Sequence, residues 1–125
     1  MPIAIWCVLV AAILPLVAIF PGKLSKDYDN ANPRDPAYWS DPFRSRCRAA
    51  QLNGFEGFPF FAAAVIIAIG QGADSQWINN LAELYIGLRV IYTLCYLANR
   101  PSPRSLAWIA GFATTIAIFT SPVWS

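Results

Sequence analysis

Four apolar stretches, at residues 2–20, 49–70, 76–97 and 103–123, take up most of this 125-residue chain, and each is long enough to cross a hydrocarbon core. A helical crossing needs about 20 residues. Inside lipid the backbone must satisfy its own hydrogen bonds, which leaves helices and closed barrels as the only spanning structures. Apolar runs of this length, without strict alternation, select helices. The expected fold is an all-α integral membrane protein, a four-transmembrane-helix bundle in a single domain over residues 1–125, with a polar loop at 21–48. Charged residues make up only 13% of the chain, against roughly 25% in soluble domains. Any chemistry must therefore occur within the membrane or at its edge.

Basic residues set the orientation. Six of the 9 Lys and Arg residues (Lys23, Lys26, Arg34, Arg44, Arg46 and Arg48) lie between the first two spans, and Arg100 and Arg104 flank the link between the last two. The link at 71–75 and the C-terminal tail carry none. The positive-inside rule then puts the two basic loops in the cytoplasm and both termini outside. The first span has no basic segment before it and no obvious cleavage site after it, so it reads as a retained span. A net charge of +2 gives no reason to expect a nucleic-acid partner. With no histidine and three unpaired cysteines, a metal site is not expected. Cys7 and Cys95 read as small core residues. Cys47 reads the same way, although its arginine neighbours make a lowered-pKa thiol the alternative.

Two polar residues interrupt the second stretch. Asn53 and Glu56 are three residues apart and share one helical face. An ionisable group at that depth costs a few kcal/mol unless it meets a partner or water, so this face is the first candidate site. On the third stretch, Tyr85, Arg89, Tyr92, Thr93, Tyr96 and Arg100 form a polar stripe at helical spacing. Interfacial anchoring accounts for Tyr96 and Arg100 but not for Arg89, about 13 Å inside the stretch at 1.5 Å per residue. Glu56 lies about 12 Å beyond Arg48 by the same arithmetic. The expectation is a Glu56–Arg89 pair lining a cavity open to the cytoplasm; the alternative is an ion pair that only fixes helix register. Glu83 is off the stripe, with no base nearby; it is expected to be protonated or to hydrogen-bond Asn79 or Asn80.

The fourth stretch opens with Arg100-Pro101-Ser102-Pro103-Arg104-Ser105. Ser102 reads as the helix N-cap and Pro103 as the first helical residue. Free N–H groups and the Arg104 guanidinium would then converge on one spot suited to an anion. Ordinary capping combined with basic-loop topology is the competing explanation.

At this point the chain resembles the MAPEG superfamily, membrane-associated proteins of eicosanoid and glutathione metabolism. The resemblance covers nearly the whole chain. Its specific part is Ala50-Gln51-Leu52-Asn53-Gly54-Phe55-Glu56-Gly57-Phe58-Pro59-Phe60, similar to the second-helix pattern Arg-Ala-x-x-Asn-x-x-Glu-x-x-Pro-x-Phe. Residues 89–97 resemble the third-helix pattern, and Pro103-Arg104-Ser105 the start of the fourth helix. The resemblance implies a bacterial-type member, multi-pass in the bacterial inner membrane, assembled as a homotrimer that binds glutathione between subunits near the cytoplasmic face. Asn53 and Glu56 would hold the amino and peptide groups of glutathione, with Arg89, Arg48, Arg100 and Ser105 completing the binding set. Arg104 would stabilise the thiolate, and Tyr92 or Tyr96 would donate a hydrogen bond. The reaction implied is a transferase or peroxidase reaction on lipophilic electrophiles arriving from the lipid.

One departure stands out. The pattern's arginine falls on Ala49, and Leu52 replaces a residue that is basic in some members; both flank Glu56 on the helix. Arg48 lies about 80° away from Glu56 at 100° per residue. A non-catalytic membrane subunit or lipid-binding protein of the same fold is accordingly the alternative function. A small four-helix drug/proton antiporter has a similar length, but such exporters carry an essential acid in the first span, and residues 2–20 hold no charge.

Overall fold

The computed structural model describes residues 1–125 as four helices: α1 (Ile3–Ile19), α2 (Pro42–Gly70), α3 (Ser75–Leu97) and α4 (Pro101–Trp124). α1, α2 and α4 are long and apolar enough to cross a membrane. α3 has the length, at 23 residues, but Asn79, Asn80, Glu83 and Arg89 make it more polar than the others. It packs against α1, α2 and α4, and so sits among the three apolar helices.

Small residues allow the helices to approach closely, as is usual where lipid offers no hydrophobic drive between them. Ala4, Cys7 and Ala11 of α1 meet Phe61, Ala64, Val65 and Ala68 of α2 in one core, joined by Ile78, Ala82 and Tyr85 of α3 and Ile118 of α4. Gly54 marks the tightest contact: a Cβ there would stand 2.7 Å from Pro15 Cγ. The Asn79 side chain accepts a hydrogen bond from the Ala4 N–H at 3.1 Å, satisfying one donor at the start of α1. That takes Asn79 away from Glu83, and Asn80 accepts instead from Gln76. Glu83 is exposed and bonds neither asparagine, which sets aside the hydrogen-bonded alternative.

α2 begins at Pro42, seven residues before the apolar stretch. Asp41 caps it by accepting from the Arg44 N–H at 3.2 Å, and Pro42 takes the first helical position. Arg44, Arg46 and Arg48 are therefore helical. The preceding segment is clasped onto this helix. Arg44 bonds Asp27 and Ser25 at 2.8 Å each and stacks over the Tyr38 ring at 4.2 Å. Tyr38 in turn donates its hydroxyl to the Gly22 carbonyl, and Trp39 donates to the Pro33 carbonyl at 2.8 Å. Cys47 lies fully buried beneath this clasp, against the Gly22 backbone. It acts as a small packing residue, the first of the two readings its sequence position allowed.

The α3–α4 link is a tight reversal. Asn99 adopts φ 58°, a left-handed conformation that asparagine tolerates better than most residues, and the Arg100 N–H returns to the Cys95 carbonyl at 2.8 Å. Arg100 is the N-cap of α4, through its backbone carbonyl, which accepts from the Arg104 N–H at 3.2 Å. This corrects the expectation that Ser102 caps and Pro103 leads. Pro101, immediately after the turn, already has the φ a helix start requires, so the helix begins two residues earlier. Pro103 still falls in the first turn, where no intrahelical N–H is missed.

Candidate functional site

The face of α2 that carries Asn53 and Glu56 turns toward α3 and α4. Between these helices lies a cavity of about 180 Å³, lined by Asn53, Glu56, Gly57 and Phe60 of α2, Tyr85 and Arg89 of α3, and Trp108, Gly111, Phe112 and Thr115 of α4. Its inner wall is polar. Its outer rim is aromatic: Trp108 and Phe112 stack with centroids 5.4 Å apart, and Phe60 sits 5.6 Å from Phe112.

Arg89 is 7% exposed. Its Nη1 donates to Asn53 Oδ1 at 2.9 Å, and its guanidinium carbon lies 4.4 Å from the Tyr92 ring centroid. The expected Glu56–Arg89 ion pair is not formed, since the one ion pair in the structure joins Arg44 and Asp27. Asn53, one turn from Glu56 on the same face, takes the guanidinium instead and leaves the carboxylate free at the cavity wall. A buried cation bonded only to a neutral amide is incompletely compensated, and breaking up a buried pair in proteins typically costs about 3–5 kcal/mol. The cavity is therefore lined by a buried cation from α3 and by the exposed, unpaired carboxylate of Glu56 from α2.

The tyrosine stripe continues this wall. The Tyr92 and Tyr96 rings meet edge to face at 5.7 Å, and the Arg104 guanidinium carbon lies 4.7 Å from the Tyr96 centroid. Arg89, Tyr92, Tyr96 and Arg104 thus form an unbroken series of cation–ring and ring–ring contacts from the middle of the bundle to the first turn of α4. Arg104 is half-buried at that turn, where Pro101 and Pro103 have no N–H, the Arg100 N–H is taken by the Cys95 carbonyl, and Ser102 holds the one free backbone donor.

The remaining sequence candidates lie elsewhere. Arg48 is half-buried in a separate groove of about 480 Å³, with Lys23, Arg34, Gln51, Leu52 and Phe55 among its neighbours. Arg100 and Ser105 are exposed at the basic end. Within one chain, then, Asn53, Glu56 and Arg89 share a cavity, Tyr92, Tyr96 and Arg104 lie outside it in a series of contacts leading away from Arg89, and Arg48, Arg100 and Ser105 stand apart. Gly57 and the aromatic rim went unrecognised in the sequence. The spacing of Trp108 and Phe112 by four residues, with Gly111 between, marks one face of α4 and was the available signal for the rim.

Residues 3–124 match the MAPEG family. Among curated proteins, microsomal glutathione S-transferase 1 of Homo sapiens is 29% identical over 75 residues, covering 58% of this chain and 48% of that protein. The protein of the same name from Sus scrofa is 31% identical over 75 residues with the same coverage. The chain spans about half the length of the curated relatives it matches. No solved structure matches it.

Proposed function

Because the chain belongs to the MAPEG family, we propose that it is a membrane-embedded, glutathione-dependent transferase or peroxidase acting on lipophilic electrophiles. The observation that carries the reading is Arg89: buried, without a carboxylate partner, on the wall of a cavity that also holds the free Glu56. Unpaired charges of opposite sign lining one cavity suit a small zwitterionic peptide, and the relatives are named as glutathione transferases. Glutathione binds with its charged groups against Asn53, Glu56 and Arg89 and its thiol toward Arg104. The Arg104 guanidinium, together with the Ser102 N–H and the positive end of α4, favours the thiolate over the thiol. Tyr92 and Tyr96 offer hydroxyl donors beside it.

In the transferase reaction, the thiolate sulfur forms a bond to an electrophilic carbon, and the leaving group departs with the electron pair of the bond it breaks. In the peroxidase reaction, the thiolate attacks the distal oxygen of a hydroperoxide and releases an alcohol. A second glutathione then displaces water from the sulfenic acid to give the disulfide. The aromatic rim of Phe60, Trp108 and Phe112 faces outward, the side from which an apolar substrate arrives out of the lipid. All four helices cross the bacterial inner membrane, with the basic end in the cytoplasm. The functional unit is a homotrimer, and the groove holding Lys23, Arg34 and Arg48 gives a neighbouring subunit a cationic surface for the same ligand.

The test is glutathione binding and turnover of an aryl halide or an organic hydroperoxide by purified protein in nanodiscs. The reading requires saturable binding and a loss of turnover of about 100-fold in Arg104→Ala; equal turnover in the variant refutes the mechanism. Ala49 and Leu52, flanking Glu56 where the family pattern has basic residues, favour a second reading, a non-catalytic subunit of the same fold. Binding without turnover of any electrophile would select it.

A further inference from the structure

Tyr85 is a buried residue whose polar end has no partner. Tyr85 is 5% exposed, its ring stacks on Phe61 with centroids 4.0 Å apart and planes 8° off parallel, and it lies over Gly111, where a Cβ would stand 3.9 Å from the ring. Three helices thus fix the ring. Its hydroxyl accounts for none of the side-chain hydrogen bonds and instead borders the cavity shared by Asn53, Glu56 and Arg89. Across from it is Gly57, where a Cβ would stand 3.2 Å from the hydroxyl oxygen. A larger side chain there would fill the space that the hydroxyl occupies. Tyr85 also precedes Arg89 by four residues, so the two project from one face of α3 about 6 Å apart along its axis. The hydroxyl makes no hydrogen bond within the chain and keeps its surface toward the cavity, where phenylalanine would pack the same ring without offering a donor.

We propose that the Tyr85 hydroxyl is a further ligand contact, donating a hydrogen bond to a glutathione carboxylate that Arg89 neutralises, and that Gly57 is the residue that makes room for it. This rests on the glutathione reading above. A rigid ring and a guanidinium one turn apart define the depth at which the carboxylate stops, and so the distance left for the thiol to reach Arg104. Tyr85 is in this sense a positioning residue for the sulfur as well as a binding one.

The experiment compares wild type, Tyr85→Phe, Gly57→Ala and the double variant, each full length in nanodiscs, by calorimetric titration with reduced glutathione and by thermal unfolding without ligand. Tyr85→Phe is expected to weaken binding about tenfold, as befits a hydrogen bond to a charged group, with the unfolding temperature unchanged or raised. Gly57→Ala is expected to weaken binding less, and to add nothing in the Tyr85→Phe background. Equal glutathione affinity in wild type and Tyr85→Phe overturns the proposal and leaves the glutathione reading standing. A drop in unfolding temperature in Tyr85→Phe, matched by the loss of affinity, also overturns it, by giving the hydroxyl a structural role. No binding by wild type overturns both.

Discussion

Asn53 and Arg89 are joined across α2 and α3 by one hydrogen bond of 2.9 Å, and it is the only side-chain hydrogen bond that links those two helices. The acceptor is a neutral amide, so the bond orients the guanidinium without discharging it. Glu56, one turn away, stays free for a ligand.

Removing either partner should separate stability from binding. Asn53→Ala leaves the buried guanidinium without its acceptor and is expected to destabilise the fold by about 1–3 kcal/mol. Arg89→Met removes the buried charge at similar volume and is expected to change stability by less than that while abolishing glutathione binding. Thermal unfolding with parallel titrations checks both.

The contact between Tyr96 and Arg104 runs through the ring. Tyr96→Phe should therefore keep Arg104 in place, whereas Tyr96→Leu should release it, at a loss of about 0.5–2 kcal/mol for the cation–ring contact. Turnover at saturating glutathione is expected to fall further in Tyr96→Leu than in Tyr96→Phe. The reverse order would point to the hydroxyl as the working group.

The thiolate role proposed for Arg104 predicts a pH dependence. With the guanidinium present, the bound thiol is expected to ionise below the ordinary cysteine value of about 8.5. In Arg104→Ala the alkaline rise of turnover is expected to move up toward that value, while glutathione affinity changes only a few-fold. A rate–pH profile of both proteins measures the shift.

Gly54 should not tolerate a side chain. A Cβ there would be 2.7 Å from Pro15 Cγ, and neither ring nor helix can yield cheaply, so Gly54→Ala is expected to destabilise by about 1–3 kcal/mol. Gly70, with open space around it, provides the control position for thermal unfolding.

The clasp of the 20–41 segment should respond to acid. The Ser25 hydroxyl and the Arg44 guanidinium hold the Asp27 carboxyl below its usual range. A depressed carboxylate contributes stability above its unfolded value, near 3.9, and loses it as pH falls through the lower folded value. Limited proteolysis of this segment should thus be unchanged from neutral pH down to about 5 and accelerate only in stronger acid. Asp27→Asn should be cut readily throughout.

The helical stretches were legible in the sequence because lipid-length apolar runs admit little else, and the polar stripe of α3 was legible because tyrosines and Arg89 recur at helical spacing. The partner of Arg89 was not. Asn53 and Glu56 share a face, and spacing along one helix says nothing about which of them a neighbouring helix brings closer. The start of α4 was misread for a similar reason: two prolines both fit a first turn, and only the left-handed Asn99 decides between them. Tyr85 stood in the stripe, but its importance depends on Gly57, a residue whose contribution is the space it leaves.

The reversal at Asn99 and Arg100 has a consequence for sequence change. Surface connections ordinarily absorb insertions and deletions, but this one passes straight from the last turn of α3 into the first turn of α4. One added residue would swing α4 about 100° around its axis and carry Arg104 off the Tyr96 ring. The length of this junction therefore holds the Tyr96–Arg104 contact in register as firmly as either side chain does, and variants that lengthen or shorten it are expected to lose the proposed activity while keeping a folded bundle.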